Sequence, residues 1–217
     1  MMYEELMKQF SNLSDEEKNA LMVYKTRLGL LINDLDNEPD WDYYYERYKR
    51  ISSSPQNALL QTLIFKSIDF SSIDTFKESI FRIKDLLDVA TTKIIIPEDI
   101  KVYRAVSSNG EIDGIAKSDF VSTSLSFAEA LKYAIAGTNI NIYEITIPAG
   151  SHVAISPYAV LDDKKNDRLI LSTIGDQEEV LLNSNNMDFN IDSERDNAGV
   201  VYYTMTANDK EIKQARN

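Results

Sequence analysis

The chain changes character within the stretch Ile96-Pro97-Glu98-Asp99-Ile100-Lys101-Val102-Tyr103-Arg104-Ala105-Val106. Upstream of it, apolar residues recur every three or four positions, the period of a helix. From Ile100 they alternate, the period of a strand. The run Ile94-Ile95-Ile96 stops at Pro97, which cannot continue a helix, so the helical part ends there. The chain before this point is expected to be helical, and most of the chain after it to be strands.

Working outward toward the N-terminus, Leu13-Ser14-Asp15-Glu16-Glu17 is a helix start. Ser14 caps, Glu17 completes a capping box, and the acids suit the helix dipole. The stripe Leu21, Tyr24, Leu28, Leu31, Leu35 continues that helix, with Gly29 loosening it midway. A second helix is expected over Trp41 to Ile51. A third starts at Ser54-Pro55, with Ser as cap and Pro at the first position, and runs to about Ile68. A fourth spans Ile73 to Val89, with Phe76, Ile80, Ile83 and Leu87 on one face.

Toward the C-terminus, strands are expected at Ile100 to Val106, Phe120 to Thr123, Asn139 to Ile147, Val153 to Ile155, Leu169 to Ser172, Glu179 to Leu182 and Val200 to Thr206. A short helical stretch covers Phe127 to Ile135, and Asp162 to Asp167 reads as a charged, solvated loop. No internal repeat and no low-complexity linker interrupts the chain. The expectation is a single α+β domain over 1–217, with a helical lobe (1–92) packed against a mostly antiparallel β core (93–217).

Composition narrows the chemistry. The chain has 217 residues, 43% hydrophobic and 27% charged, which suits one globular domain. It has no cysteine, which excludes disulfides, thiolate metal sites and a Cys nucleophile. Its one histidine, His152, rules out multi-His zinc sites, counts against a Ser-His triad, and reads as the start of a strand. The net charge of −12 disfavours non-specific nucleic-acid binding. Met1 to Phe10 has no basic segment followed by an apolar run, and no stretch approaches the length of a membrane span. A cytoplasmic protein, or one delivered into a target cell without a cleaved signal, is expected.

Three features of the β region can carry chemistry. Arg104 sits inside an apolar strand. Ser122-Thr123-Ser124 ends a strand and precedes a helix, a place where such residues commonly cap. Ile174-Gly175-Asp176-Gln177-Glu178-Glu179 leads directly into Val180-Leu181-Leu182, although Glu is depleted in strands and a carboxylate at a core edge is costly without a partner. Tyr43-Tyr44-Tyr45 reads as a helix packing face, whose exposed members could grip a partner.

Taken in order, Arg on an early strand, Phe-x-Ser-Thr-Ser on the next, and Glu before Val-Leu-Leu resemble the Arg–Ser–Glu group of mono-ADP-ribosyltransferases. The similarity is to the bacterial exoenzyme toxin family, which includes Rho-modifying exoenzymes and actin-modifying binary toxins. It extends to Tyr24 through Leu35, to Ile96 through Arg104, to Phe120 through Ala134 and to Ile145 through Ser151, about residues 13 to 206 in all.

The resemblance implies a two-sheet β core and NAD as substrate, with no metal. It implies that Glu179 is the catalytic carboxylate and that Ser122 orients it. Arg104 would clamp the pyrophosphate. Thr123 and Ser124 would form the strand end and cleft wall, and Tyr24 and Asn33 would be NAD contacts from the helical lobe. Tyr24 reads equally well as a core aromatic. Ile174, Gly175 and Gln177 would lie in the target-recognition (ARTT) loop. The family carries Gln two residues before its glutamate when the acceptor is an amide or hydroxyl, and Glu when it is arginine. Gln177 therefore implies Asn, Gln or Thr in a target protein. A shifted register would make Glu178 catalytic with Asp176 as its partner, but it sets the carboxylate one residue further from Val180.

Two departures stand out. Ile174 replaces the aromatic residue of many relatives, and no arginine follows the Ser-Thr-Ser strand within Phe127 to Gly137, where Lys132 is a distant substitute. The expected role is a toxin or effector, with a cognate inhibitor, antitoxin or delivery component as partner. Transfer to nucleic acid, NAD glycohydrolysis and an idle binding module are the alternatives.

Overall fold

The computed structural model describes residues 2–107, 115, 118–132, 134, 140–157, 159–163, 168–172, 179–197 and 199–210, without side chains at 56, 159–163 and 168–172. The chain is α+β. Its contacts divide it into two compact units that do not follow chain order. One comprises Met1–Asn12, Thr91–Ile155 and Gly175–Asn217; the other comprises Leu13–Ala90 and Ser156–Ile174.

The second unit is mainly helical. Its α2 (Asp15–Tyr24) starts as the sequence predicts. Ser14 Oγ accepts from Glu17 N (3.2 Å) and the Glu17 carboxylate accepts from Ser14 N (2.9 Å). The stripe through Leu35 does not form one helix, however. The chain breaks after Tyr24 and resumes as α3 (Leu28–Asn33). Thr26 makes the break, because its hydroxyl donates to Val23 O (2.7 Å) and accepts from Leu28 N (3.1 Å). Gly29 permits it. A Cβ at that position would stand 2.2 Å from the Tyr24 carbonyl oxygen.

Helix α4 (Trp41–Ser53) is capped by Asp40, which accepts from Tyr43 N (3.0 Å). Of the three consecutive tyrosines only Tyr45 is buried, and Tyr43 is exposed. The expected third helix is cut short. Pro55–Asn57 is a 3-10 turn, Ser54 makes no side-chain cap, and α5 covers only Ala58–Leu63. The carboxamide of the fully buried Asn19 donates to the carbonyls of Leu63 and Ile64, taking the acceptors that a longer helix would use. Helix α6 (Ile73–Ala90) buries Phe76, Ile80, Ile83 and Leu87, the predicted face. Strands β6 (Ala159–Asp163) and β7 (Arg168–Ser172) form an antiparallel ribbon, so Asp162 and Asp163 belong to a strand and not to the expected loop; 164–167 lie outside the described residues.

The first unit carries α1 (Met2–Ser11) and an eight-stranded sheet in the order β1-β5-β8-β3-β2-β4-β10-β9. Its strands are β1 (Ile94–Ile95), β2 (Ile100–Ser107), β3 (Phe120–Ser124), β4 (Ile140–Ile147), β5 (His152–Ser156), β8 (Glu179–Asn183), β9 (Met187–Asn197) and β10 (Val200–Asp209); α7 (Phe127–Lys132) follows β3. This arrangement differs from the expected two sheets, although the ladder is thin at its middle. Eight register pairs join β2 to β4 and five join β3 to β8, but a single pair, Tyr103 with Ser124, joins β2 to β3. The pairing of β4 with β10 is parallel. Two strands of this sheet were not legible in the sequence, β1 and the eleven-residue β9, and nor was β6 of the ribbon. His152 does begin a strand, and its Nδ1 meets Asp209 Oδ2 (2.7 Å).

Where β2, β4 and β10 lie side by side, Glu144 links them. Lys101 Nζ donates to Glu144 Oε1 and the Tyr202 hydroxyl to Oε2, each at 2.6 Å. The Lys101 hydrogen bond, then that of Tyr202, holds the Glu144 carboxyl below its ordinary range. Burial, then the bond to Glu144, pushes the Tyr202 phenol up to about 12. A phenol raised in the folded state contributes stability that is complete below its unfolded pKa of about 10 and is lost as pH rises through about 12. Tyr202→Phe should therefore flatten the fall in stability across that window, measured by urea unfolding at stepped alkaline pH. Glu144→Gln should act on the opposite limb. A depressed carboxyl supports the fold above its unfolded pKa and stops doing so as pH falls through its folded one.

Candidate active site

Two neighbouring antiparallel strands position the central pair. β3 and β8 place Ser124 opposite Glu179 and Ser122 opposite Leu181. Side chains alternate, so Ser122 and Glu179 are diagonal neighbours on one face. The Ser122 hydroxyl donates to Glu179 Oε1. Glu179 is only 6% exposed, and this hydroxyl gives its carboxylate a partner in a place where an unpartnered one would be costly. The sequence anomaly of a glutamate opening a buried strand is thus resolved by a serine two strand positions away on the neighbour.

Arg104 enters from β2. Its Nη1 donates to the backbone carbonyl of Ser122 (2.9 Å), across the gap where the β2–β3 ladder has its single register pair. The alternation of β2 fails at the same place, since Tyr103 and Arg104 are consecutive and both half-buried. One short stretch of β3 therefore holds two of the predicted residues, with Arg104 gripping its backbone and Glu179 its side chain.

The rest of the Ser-Thr-Ser run is structural. Thr123 Oγ1 donates to Val180 O (2.6 Å), tying β3 to β8. Ser124 Oγ accepts from Ser126 N (3.0 Å), turning the chain toward α7. Lys132, the distant substitute for a second arginine, is largely exposed and pairs with Glu129 on its own helix. An aromatic pair beside this turn was not anticipated from the sequence. Tyr103, the register partner of Ser124, packs edge-on against Phe127 with ring centroids 5.4 Å apart. The available signal was an aromatic directly before Arg104 and another three residues past Ser124.

Tyr24 and Asn33 lie in the helical unit and are brought together. Asn33 Nδ2 donates to the Tyr24 hydroxyl (2.9 Å), bridging the break between α2 and α3. Tyr24 is buried, as its core reading required. Ile174, Gly175 and Gln177, together with the alternative register through Asp176 and Glu178, lie outside the described residues. Among the described residues no helix is long and apolar enough to cross a membrane.

No protein-family model and no curated protein sequence matches the chain. Solved structures do. An ADP-ribosyltransferase from Clostridium botulinum, solved in a triclinic form, is similar at 16% identity and a TM-score of 0.54, over 94% of this chain and 92% of that one. The ADP-ribosylating toxin of a binary enterotoxin of C. perfringens, solved with NADH, is similar at 15% identity and a TM-score of 0.53. That match takes in 95% of this chain and 46% of the enterotoxin component, so the chain spans about half the length of that toxin. Likeness at such identities is likeness of fold, and the fold is that of the ADP-ribosyltransferases.

Arg104→Ala should cost about 2 kcal/mol, the worth of a hydrogen bond from a charged donor. Urea unfolding measures the loss, and hydrogen exchange should locate it. Amides of β2 and β3 should exchange faster while those of β9 and β10 keep their protection.

Proposed function

We propose that the chain is a mono-ADP-ribosyltransferase that moves ADP-ribose from NAD to a protein side chain, in the manner of a toxin or effector. One observation carries the reading. A buried glutamate is hydrogen-bonded to a serine whose own carbonyl is held by an arginine, within a fold shared with ADP-ribosyltransferases.

The chemistry asks for those groups. The bond that breaks joins the nicotinamide nitrogen to ribose C1′, and its electron pair leaves with nicotinamide. The bond that forms joins C1′ to a nitrogen or oxygen of the acceptor, whose proton passes to solvent. Positive charge grows on the ribose in the transition state, as in glycoside cleavage. Glu179 would accept a hydrogen bond from the 2′-hydroxyl and offset that charge. Ser122 would fix the carboxylate in position. Arg104, anchored through Nη1, would present its planar fork to the pyrophosphate. Thr123 and Ser124 would wall the site, and Tyr24 and Asn33 would add NAD contacts. In the recognition segment Ile174, Gly175 and Gln177 would meet the target, with the Gln177 carboxamide pairing an amide or hydroxyl acceptor (Asn, Gln or Thr) in preference to arginine.

The test is incubation with biotin-labelled NAD and a whole-cell lysate, with and without nuclease. Label should appear on a protein band, and Glu179→Gln should reduce both labelling and nicotinamide release by about 100- to 1,000-fold while leaving folding intact. Equal activity in that variant would sink the assignment of Glu179. Label removed by nuclease would move the acceptor to nucleic acid, and nicotinamide release without label would make the chain a glycohydrolase. Mass spectrometry of the labelled band gives the acceptor residue. Gln177→Glu should change that residue or abolish transfer while sparing nicotinamide release.

A further inference from the structure

The two edges of the eight-stranded sheet are finished differently. At one end β1 is two residues long, and a side chain completes it. Gln9 of α1 donates from Nε2 to Ile95 O (3.0 Å) and accepts through Oε1 from Ile95 N (2.8 Å). A carboxamide thus stands in for the peptide group of a missing neighbour strand. Short strands and covered edges are the usual protection against unwanted pairing.

At the other end β9 has eleven residues, and among the described residues its one strand partner is β10. Residues 190–197 are exposed on both faces, including Ile191 at 49%. Such a strand buries almost nothing of its own. It presents an edge and two faces to whatever approaches.

Its charges choose the visitor. β9 carries Asp188, Asp192, Glu194 and Asp196 against Arg195 alone. Glu194 and Asp196 are two positions apart and pair with Tyr203 and Val201 of β10, so they project from one face. The register shifts between Thr204 and Met205, which leaves Asp192 bulged out of the ladder. Bulges are frequent where an edge is re-aimed or its pairing ends. A second copy of this chain would set acid against acid along the same edge. An extended segment with lysine or arginine at alternating positions would gain main-chain hydrogen bonds and two opposite-charge pairs together.

We propose that β9 is a strand-addition site for an extended, basic segment of a partner protein, which extends the sheet by one strand. The site is independent of the glutamate chemistry and carries no part of it.

The probe is a synthetic peptide of alternating lysine and threonine, added to the full chain and followed by hydrogen exchange and calorimetry. It should slow exchange of amides within 190–197. The same peptide methylated on alternate backbone nitrogens should lose binding, because it can no longer donate to the edge. The double variant Glu194→Lys, Asp196→Lys should bind about tenfold more weakly, with the exchange pattern of β10 unchanged as proof of folding. Any one of three results overturns the proposal. These are no binding of the unmethylated peptide, equal binding of the methylated peptide or of a glutamate–threonine peptide, and self-association of the chain in sedimentation that protects 190–197 without any peptide.

Discussion

One hydrogen bond, from the Arg104 guanidinium to the Ser122 carbonyl, ties the sheet where β2 and β3 share a single register pair. On either side the strands are zipped by long runs of register pairs; between β2 and β3 there is one. Strands that part leave backbone groups without ladder partners, and such groups are costly if they are buried unsatisfied. A charged side chain supplies what the neighbouring peptide does not. The parting is also what makes a site there feasible. A continuous ladder would have consumed the backbone and left the serine and the glutamate on an unbroken sheet surface. The tie and the candidate site are thus one feature, and the structural role of Arg104 does not compete with a chemical one.

The legibility of the sequence depends on how each element is buried. Strands β2, β4, β8 and β10 bury apolar residues and were read within a few residues of their ends. Helix α6 was legible for the same reason, through its stripe of Phe76, Ile80, Ile83 and Leu87. β9 was invisible because residues 190–197 are exposed on both faces, so nothing in that stretch alternates between core and water. The α2–α3 break was invisible for a different reason. The apolar period runs unbroken across it, and the cause is the hydroxyl of Thr26 acting on two backbone groups. Pattern reports which face is buried and says little about local side-chain competition with the helix. α5 shows the same limit, since the residue that ends it, Asn19, lies more than forty positions away.

The site divides along similar lines. Arg104, Ser122 and Glu179 stood out as polar residues in apolar strands, and the family resemblance supplied their order. Which strand neighbours which was not available from alternation, because β3 and β8 are separated by more than fifty residues and four intervening strands. The diagonal contact between Ser122 and Glu179 is a consequence of that register. Tyr24 and Asn33 illustrate residues with two readings. Their mutual hydrogen bond repairs the helix break and also fixes the phenol in place, so a packing role and a binding role would draw on the same geometry.

Charge poses the remaining physical problem. A chain of net charge −12 repels an anion such as a pyrophosphate at long range. The acids are not spread evenly, and β9 concentrates several at one edge. In strand order that edge lies three positions beyond β2, which at about 4.8 Å per strand is roughly 14 Å. Charges in water are largely screened over about 8 Å at physiological ionic strength, so the edge contributes little at Arg104. The guanidinium is half-buried and acts over a few ångströms, where screening is weak. Distance and dielectric together would allow an acidic protein to hold a pyrophosphate at Arg104 and, on a separate edge, the basic segment proposed for β9.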